Sequence, residues 1–128
     1  MSYYFNKVVN MSFDEAIIKV TEELKKEGFG VLTQINVKEA LKKKINVDFR
    51  KYKILGACNP QYAHKALQAE DKIGTMLPCN VVVQERDDGK VEIAAIDPVA
   101  SMQSVQNESL GEIATIVQSK LKQVIENV

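Results

Sequence analysis

Apolar and polar residues alternate loosely over residues 3–9, with Tyr3, Phe5 and Val9 on one side, and this period of two predicts a first strand. Ser12 and Glu15 then stand at capping-box spacing, and Phe13, Ala16, Ile17, Val20 and Leu24 recur at helical intervals up to Gly28. Such a run is a helix with a defined start and stop. A hydroxyl accepts from a free N–H at one end and a glycine turns the chain left-handed at the other. From Phe29 the period returns to two. Phe29, Val31, Thr33, Ile35 and Val37 alternate with Gly30, Leu32, Gln34 and Asn36, which predicts a second strand with the first set on one face. Asn36 can cap a short helix whose stripe is Val37, Ala40, Leu41 and Ile45 and whose other face carries Lys38, Lys42, Lys43 and Lys44.

Residues 53–58 read as a third strand. Asn59 suits an N-cap, and Pro60 suits the first helical position, where its missing N–H costs nothing, so residues 60–71 are predicted helical. Pro78 precedes a strand over residues 79–86. Asp87-Asp88-Gly89 is a tight hairpin signal, and residues 91–96 return. Asp97-Pro98 repeats the cap-plus-proline pattern. The last element is a long amphipathic helix with Leu110, Ile113, Ala114, Val117, Leu121, Val124 and Ile125 on one stripe. The order β-α-β-(short α)-β-α-β-β-α, with polar residues alternating through most strands, predicts an α+β two-layer sandwich. Its sheet is twisted and largely antiparallel, and its longer helices lie on one face.

The length of 128 residues predicts one domain over residues 1–128. Seventeen basic and seventeen acidic residues cancel, which removes the electrostatic footprint of a dedicated nucleic-acid binder. The one local excess of positive charge spans residues 38–53. It reads as a solvated face, because only Phe49 and Tyr52 could offer rings for base stacking there. No basic leader with an apolar core opens the chain, and its apolar runs stop near five residues where a membrane span needs about twenty. The expectation is a cytoplasmic protein with reduced thiols and with neither membrane nor nucleic acid as partner.

The candidate chemistry lies in two similar tripeptides, Cys58-Asn59-Pro60 and Pro78-Cys79-Asn80. Cys58 ends a strand just before a helix start, where the positive end of the helix favours a thiolate. Cys79 opens the next long strand. If the two strands run parallel, the cysteines lie at opposite ends of the sheet; if they are antiparallel neighbours, the tips meet. His64, about one turn into the helix, could act as a base or supply one metal ligand. Cys58, Cys79 and His64 make only three ligands, at a spacing that matches no zinc motif, so no metal and no cofactor is expected. Asp97 reads as a cap ahead of a catalytic carboxylate.

The chain resembles a bacterial and archaeal family catalogued as domain of unknown function 302. The resemblance rests on Gly28-Phe29-Gly30-Val31-Leu32-Thr33, on the run from Asp48-Phe49-Arg50 to Cys58-Asn59-Pro60, on Ala66-Leu67-Gln68-Ala69-Glu70, on Leu77-Pro78-Cys79-Asn80-Val81-Val82-Val83, and on Ile96-Asp97-Pro98. It implies a β-α-β4-α sandwich similar to one repeat of the TATA-binding-protein fold. It therefore implies the antiparallel alternative for the two cysteine-bearing strands, and it leaves the activity open.

The function expected from these readings is a ligand-binding or interaction module for an unidentified small ligand. Its pocket would lie near Cys58, Asn59, Pro60, His64, Pro78, Cys79 and Asn80, and it would act as a homodimer, since an open sheet face and bare strand edges need cover. The alternatives are a thiol-dependent redox or sulfur-transfer protein using Cys58 and Cys79, or a Cys/His metal-binding protein. Whether any reaction is catalysed stays open.

Overall fold

The computed structural model describes residues 2–128. Five strands, β1 (Tyr4–Val9), β2 (Gly30–Asn36), β3 (Tyr52–Cys58), β4 (Cys79–Glu85) and β5 (Val91–Ile96), form one sheet in the order β1-β5-β4-β3-β2. Every neighbouring pair is antiparallel. The helices are α1 (Phe13–Lys26), α2 (Val37–Ile45), α3 (Pro60–Ala69), α4 (Pro98–Ser101) and α5 (Glu108–Asn127), with a 3₁₀ turn at Asp71–Met76 after α3. The chain is an α+β two-layer sandwich of the predicted kind.

Local chemistry sets the element ends. The Ser12 hydroxyl accepts from the Glu15 N–H at 3.1 Å and starts α1. Its end is a Schellman turn: Gly28 takes φ +88°, the Phe29 N–H reaches the Leu24 carbonyl at 2.9 Å, and the Gly28 N–H reaches Lys25 at 3.1 Å. The turn carries Phe29 into the core beside Leu24. Lys7 sits on the inward side of β1, where its ammonium caps the end of α5 at the carbonyls of Glu126 (3.0 Å) and Val128 (2.7 Å). Buried Glu23 is held by Lys26 at 2.8 Å and Lys19 at 3.2 Å, and these hydrogen-bonded ammonium groups keep its carboxyl below the usual range.

Alternate residues of the central strands build the core. Leu55 and Ala57 of β3, Cys79, Val81 and Val83 of β4, and Val91, Ile93 and Ala95 of β5 are buried against Ala16, Val20 and Leu24 of α1 and Val117, Leu121 and Val124 of α5. A separate buried cluster, formed by Ala66, Ile73, Met102, Leu110 and Ala114, joins α3, the 3₁₀ turn, α4 and the start of α5. The core therefore has two parts. No helix among the described residues is long and apolar enough to cross a membrane.

The structure corrects three local expectations. Residues 29–37 do not alternate throughout, because a bulge interrupts β2 between Val31 and Thr33. Val31 pairs with Ala57 on the core face, whereas Thr33 and Ile35 pair with Gly56 and Ile54 on the other. The helix predicted over residues 60–71 ends at Ala69, where the Asn107 side-chain amide takes the Ala69 carbonyl at 2.8 Å and the chain tightens into the 3₁₀ turn. The stripe expected to bury α2 buries nothing: no α2 residue is fully covered, and Ile45 is 62% exposed.

Candidate functional site

Where the two parts of the core adjoin, they leave a cavity of about 290 Å³. Phe29, Ala57, Cys79 and Val117 come to its wall from the sheet-packed cluster; Ala66, Met102, Leu110 and Ala114 come from the other. The helices contribute in register. Tyr62, Ala63, Ala66 and Leu67 are one face of α3, and Leu110, Ile113, Ala114 and Val117 are one stripe of α5. The space exists because the positions facing it are small: Ala57, Ala63, Ala66, Gly74 and Ala114 stand where larger side chains would close it. Leu32 also lines it. This residue lies within the β2 register shift, where a bulge re-aims a side chain. Leu32 is 68% exposed and Leu67 is 43% exposed, so these two leucines mark the mouth.

The antiparallel pairing decides the question of the cysteines. Ala57 and Cys79 are direct partners across β3 and β4, so Cys58 and Cys79 are neighbours at one end of the sheet, and both border the cavity as free thiols. Cys58 is half-buried and Cys79 is buried. Desolvation pushes the Cys79 thiol up to about 11, and the nearby Cys58 adds to the shift because two thiolates would repel. Cys79 is a neutral thiol at physiological pH.

Asn59 and Pro78 also line the cavity. The Leu77–Pro78 peptide is cis. Asn59 begins α3, but its side chain makes no cap hydrogen bond. Its Nδ2 instead donates to the Glu27 carbonyl at 3.2 Å, tying the start of α3 to the end of α1 beneath Gly28. That corrects the capping role read from the sequence. The last helical carbonyls of α1 need a donor, and Asn59 is close enough to supply one.

Three residues expected at the pocket lie elsewhere. His64 falls on the exposed face of α3 with Gln61, Lys65 and Gln68, because positions three and four apart share a face and the cavity face is the adjacent one. Asn80 is one strand position from Cys79, so its side chain stands on the opposite, uncovered face of the sheet. Pro60 is exposed at the first helical position. With His64 outside, the third ligand of the Cys/His metal reading is missing, and no group of three or more His, Cys, Asp or Glu side chains among the described residues is placed to hold a metal ion. Asp97 is a cap, accepting from the Val99 N–H at 3.0 Å and from the Gln118 amide at 3.0 Å.

Sequence reasoning misses two features of the site. Gly56 is an isolated glycine inside a strand, which signals a close approach; the Thr33 side chain and the Pro78 ring occupy the space its side chain would need. The α3 and α5 stripes read as core in the sequence, and their alanines are the sign that the core does not close.

Among known proteins, the family described as "Domain of unknown function DUF302" matches residues 5–128. The crystal structure of an uncharacterized conserved DUF302 protein from Bacillus stearothermophilus is similar over 99% of this chain and 98% of that one, at 32% identity and a TM-score of 0.92. No curated protein matches.

Proposed function

We propose, for a chain that belongs to the DUF302 family, that it is a small binding module whose ligand is an apolar molecule held between the sheet, α3 and α5. The cavity carries the reading. No charged side chain lines it, and its residues are aliphatic, aromatic or sulfur-bearing apart from Asn59, with Tyr62 the one ring that carries a hydroxyl. The pocket opens between Leu32 and Leu67, so water enters a space whose wall offers it almost no hydrogen bonds, and an apolar guest displaces that water and buries the wall. A cavity of roughly 150 Å³ accommodates benzene, so about twice that volume suits a one- or two-ring compound of about a dozen non-hydrogen atoms.

Naphthalene is the direct probe. It should raise the melting temperature of the protein in proportion to the logarithm of its concentration. Ala114→Leu, which adds three carbons to the wall of a space already empty, should weaken naphthalene binding at least tenfold (about 1.4 kcal/mol) without lowering the melting temperature of the free protein. Unchanged binding in that variant would place naphthalene elsewhere and remove the cavity as the site.

The module is proposed to work as a homodimer. Support comes from the uncovered sheet face and from edge strands β1 and β2, where Tyr4, Val8, Leu32 and Ile35 are exposed. Light scattering should give twice the 14.3 kDa chain mass; a monomer mass at working concentration removes this part and leaves the cavity reading intact. The thiol-dependent alternative keeps one observation in its favour, that both sulfurs border the same cavity. In it Cys58 is the attacking sulfur, because Cys79 stays protonated.

A further inference from the structure

We infer a second binding site on the uncovered face of the sheet, a trough that takes a small organic cation. The ligand's ammonium group meets the Glu92 carboxylate, and its apolar body lies over Ala94 and Val82 between Tyr4 and Tyr52. This site does not rest on the cavity reading, because the two lie on opposite faces of the sheet.

Alternation builds the trough. Val81 and Val83 of β4 and Val91, Ile93 and Ala95 of β5 are buried on the helix side, which sends Asn80, Val82 and Gln84, and Glu92, Ala94 and Ile96, to the open side. Tyr4 of β1 pairs with Ile96, and Tyr52 of β3 pairs with Gln84. Together these side chains enclose about 310 Å³. Ala94 keeps the floor low, standing between Asn6 and Val82 in the pairing. From Glu92 to Ile96 the floor runs about 14 Å along β5, long enough for one ring and a short tail.

Glu92 is the one charged side chain in the trough wall. The Asn6 amide donates to its Oε2 at 2.8 Å and the Gln84 amide donates to its Oε1 at 3.0 Å. Both donors are neutral. Held from the two neighbouring strands, the carboxylate is fixed in place, and each oxygen keeps a lone pair for a further donor. No lysine or arginine among the described residues forms an ion pair with it. Arg50 reaches only as far as Gln84, whose Oε1 accepts from its Nε at 2.9 Å, and its guanidinium lies over the Phe49 ring. A carboxylate positioned in this way, without a counter-ion, favours an ammonium group through charge-assisted hydrogen bonds. The tyrosines offer ring surface to the apolar body attached to it. An anion meets the Glu92 charge with nothing in the wall to offset it. The apolar cavity, which no charged residue lines, excludes the same cation, so the two sites take different classes of ligand.

The experiment titrates three probes of similar length, 2-phenylethylammonium, 2-phenylethanol and 3-phenylpropionate, into the isotope-labelled full chain and follows backbone amides by NMR. An exposed ion pair contributes up to about fivefold, so the ammonium compound should bind about fivefold more tightly than the alcohol at low salt, and the carboxylate more weakly than either. The shifts caused by the ammonium compound should centre on Val82, Glu92 and Ala94 and leave Ala66 and Ala114 of the cavity unmoved. Raising the salt from about 20 mM to about 500 mM should cut the preference for the ammonium compound below twofold. Glu92→Gln, which keeps the length of the side chain and removes its charge, should make the ammonium compound and the alcohol bind equally. The inference is overturned if the alcohol binds as tightly as the ammonium compound in the native protein, if the shifts centre on the cavity, or if Glu92→Gln keeps the preference. Absence of any shift on the sheet face, as when two copies pair through it, overturns it as well. The comparison of probes on the native chain is decisive without the variant.

Discussion

Gly56→Ala should destabilise the protein by about 2–3 kcal/mol, read as a fall in the urea midpoint at unchanged slope. The added methyl group would press on the Thr33 hydroxyl and lie 2.8 Å from the Pro78 ring. The two neighbours can give way to different extents. Thr33 is exposed on edge strand β2 and can turn its side chain toward solvent, whereas Pro78 is a ring fixed between the 3₁₀ turn and β4. The larger part of the cost therefore comes from Pro78. Combining Gly56→Ala with Thr33→Ala should recover less than half of it. Gly30, in the same region of the sheet, has nothing within 4 Å of the place an added methyl group would take, so Gly30→Ala should stay within about 0.5 kcal/mol of the native protein. Pro78 also borders the cavity, so displacing it should weaken naphthalene binding in the Gly56→Ala protein. A Gly56→Ala chain as stable as Gly30→Ala would mean that β3 and β4 pack less tightly at this point than the structure shows.

Gly56 also shows where sequence reading stops. Period and punctuation carry the architecture: capping-box spacing marks α1, the Asp87-Asp88-Gly89 turn marks the β4–β5 hairpin, and the seven-residue apolar stripe marks α5. Those are local signals, and local signals survive folding when tertiary packing agrees with them. The bulge in β2 leaves no such trace, because one extra residue in an otherwise alternating run changes faces without changing composition. For the site, the sequence supplies the residues at the strand tips, and the resemblance supplies the antiparallel pairing that brings Cys58 and Cys79 together. Neither supplies the cavity. An empty space is a property of what several elements leave unfilled, and Ala63, Ala66 and Ala114 read as ordinary helix formers until α3 and α5 are seen to face one another. The expectation for His64 fails for a related reason. Adjacent positions on a helix point about 100° apart, so nearness in the chain to Asn59 does not carry the imidazole to the cavity.

Alkaline pH should weaken the fold through Cys79, and the sign follows from where the proton is held. In the unfolded chain the thiol ionises near its ordinary value of 9.0, whereas burial in the core pushes it up to about 11. Below pH 9 both states hold the proton and Cys79 contributes no pH dependence. Between pH 9 and about 11 the unfolded chain releases it and the native chain does not, so stability falls by about 1.4 kcal/mol per pH unit, about 3 kcal/mol in total, and levels off above. Lysines and tyrosines titrate in the same range, so the measurement is a difference. Urea midpoints of the native protein and of Cys79→Val, a β-branched residue of similar size for a buried strand position, should run parallel up to pH 9 and diverge above it, with the valine protein losing less. Parallel curves to pH 11 would show that the thiol is solvated in the native state. The same proton governs reactivity. At pH 7.5 iodoacetamide should label half-exposed Cys58 and leave Cys79 untouched while the chain stays folded, since only the thiolate attacks and the buried sulfur is neither ionised nor accessible. A sulfur held neutral in this way serves the cavity as an apolar wall atom, which is the role that the small-ligand reading gives it.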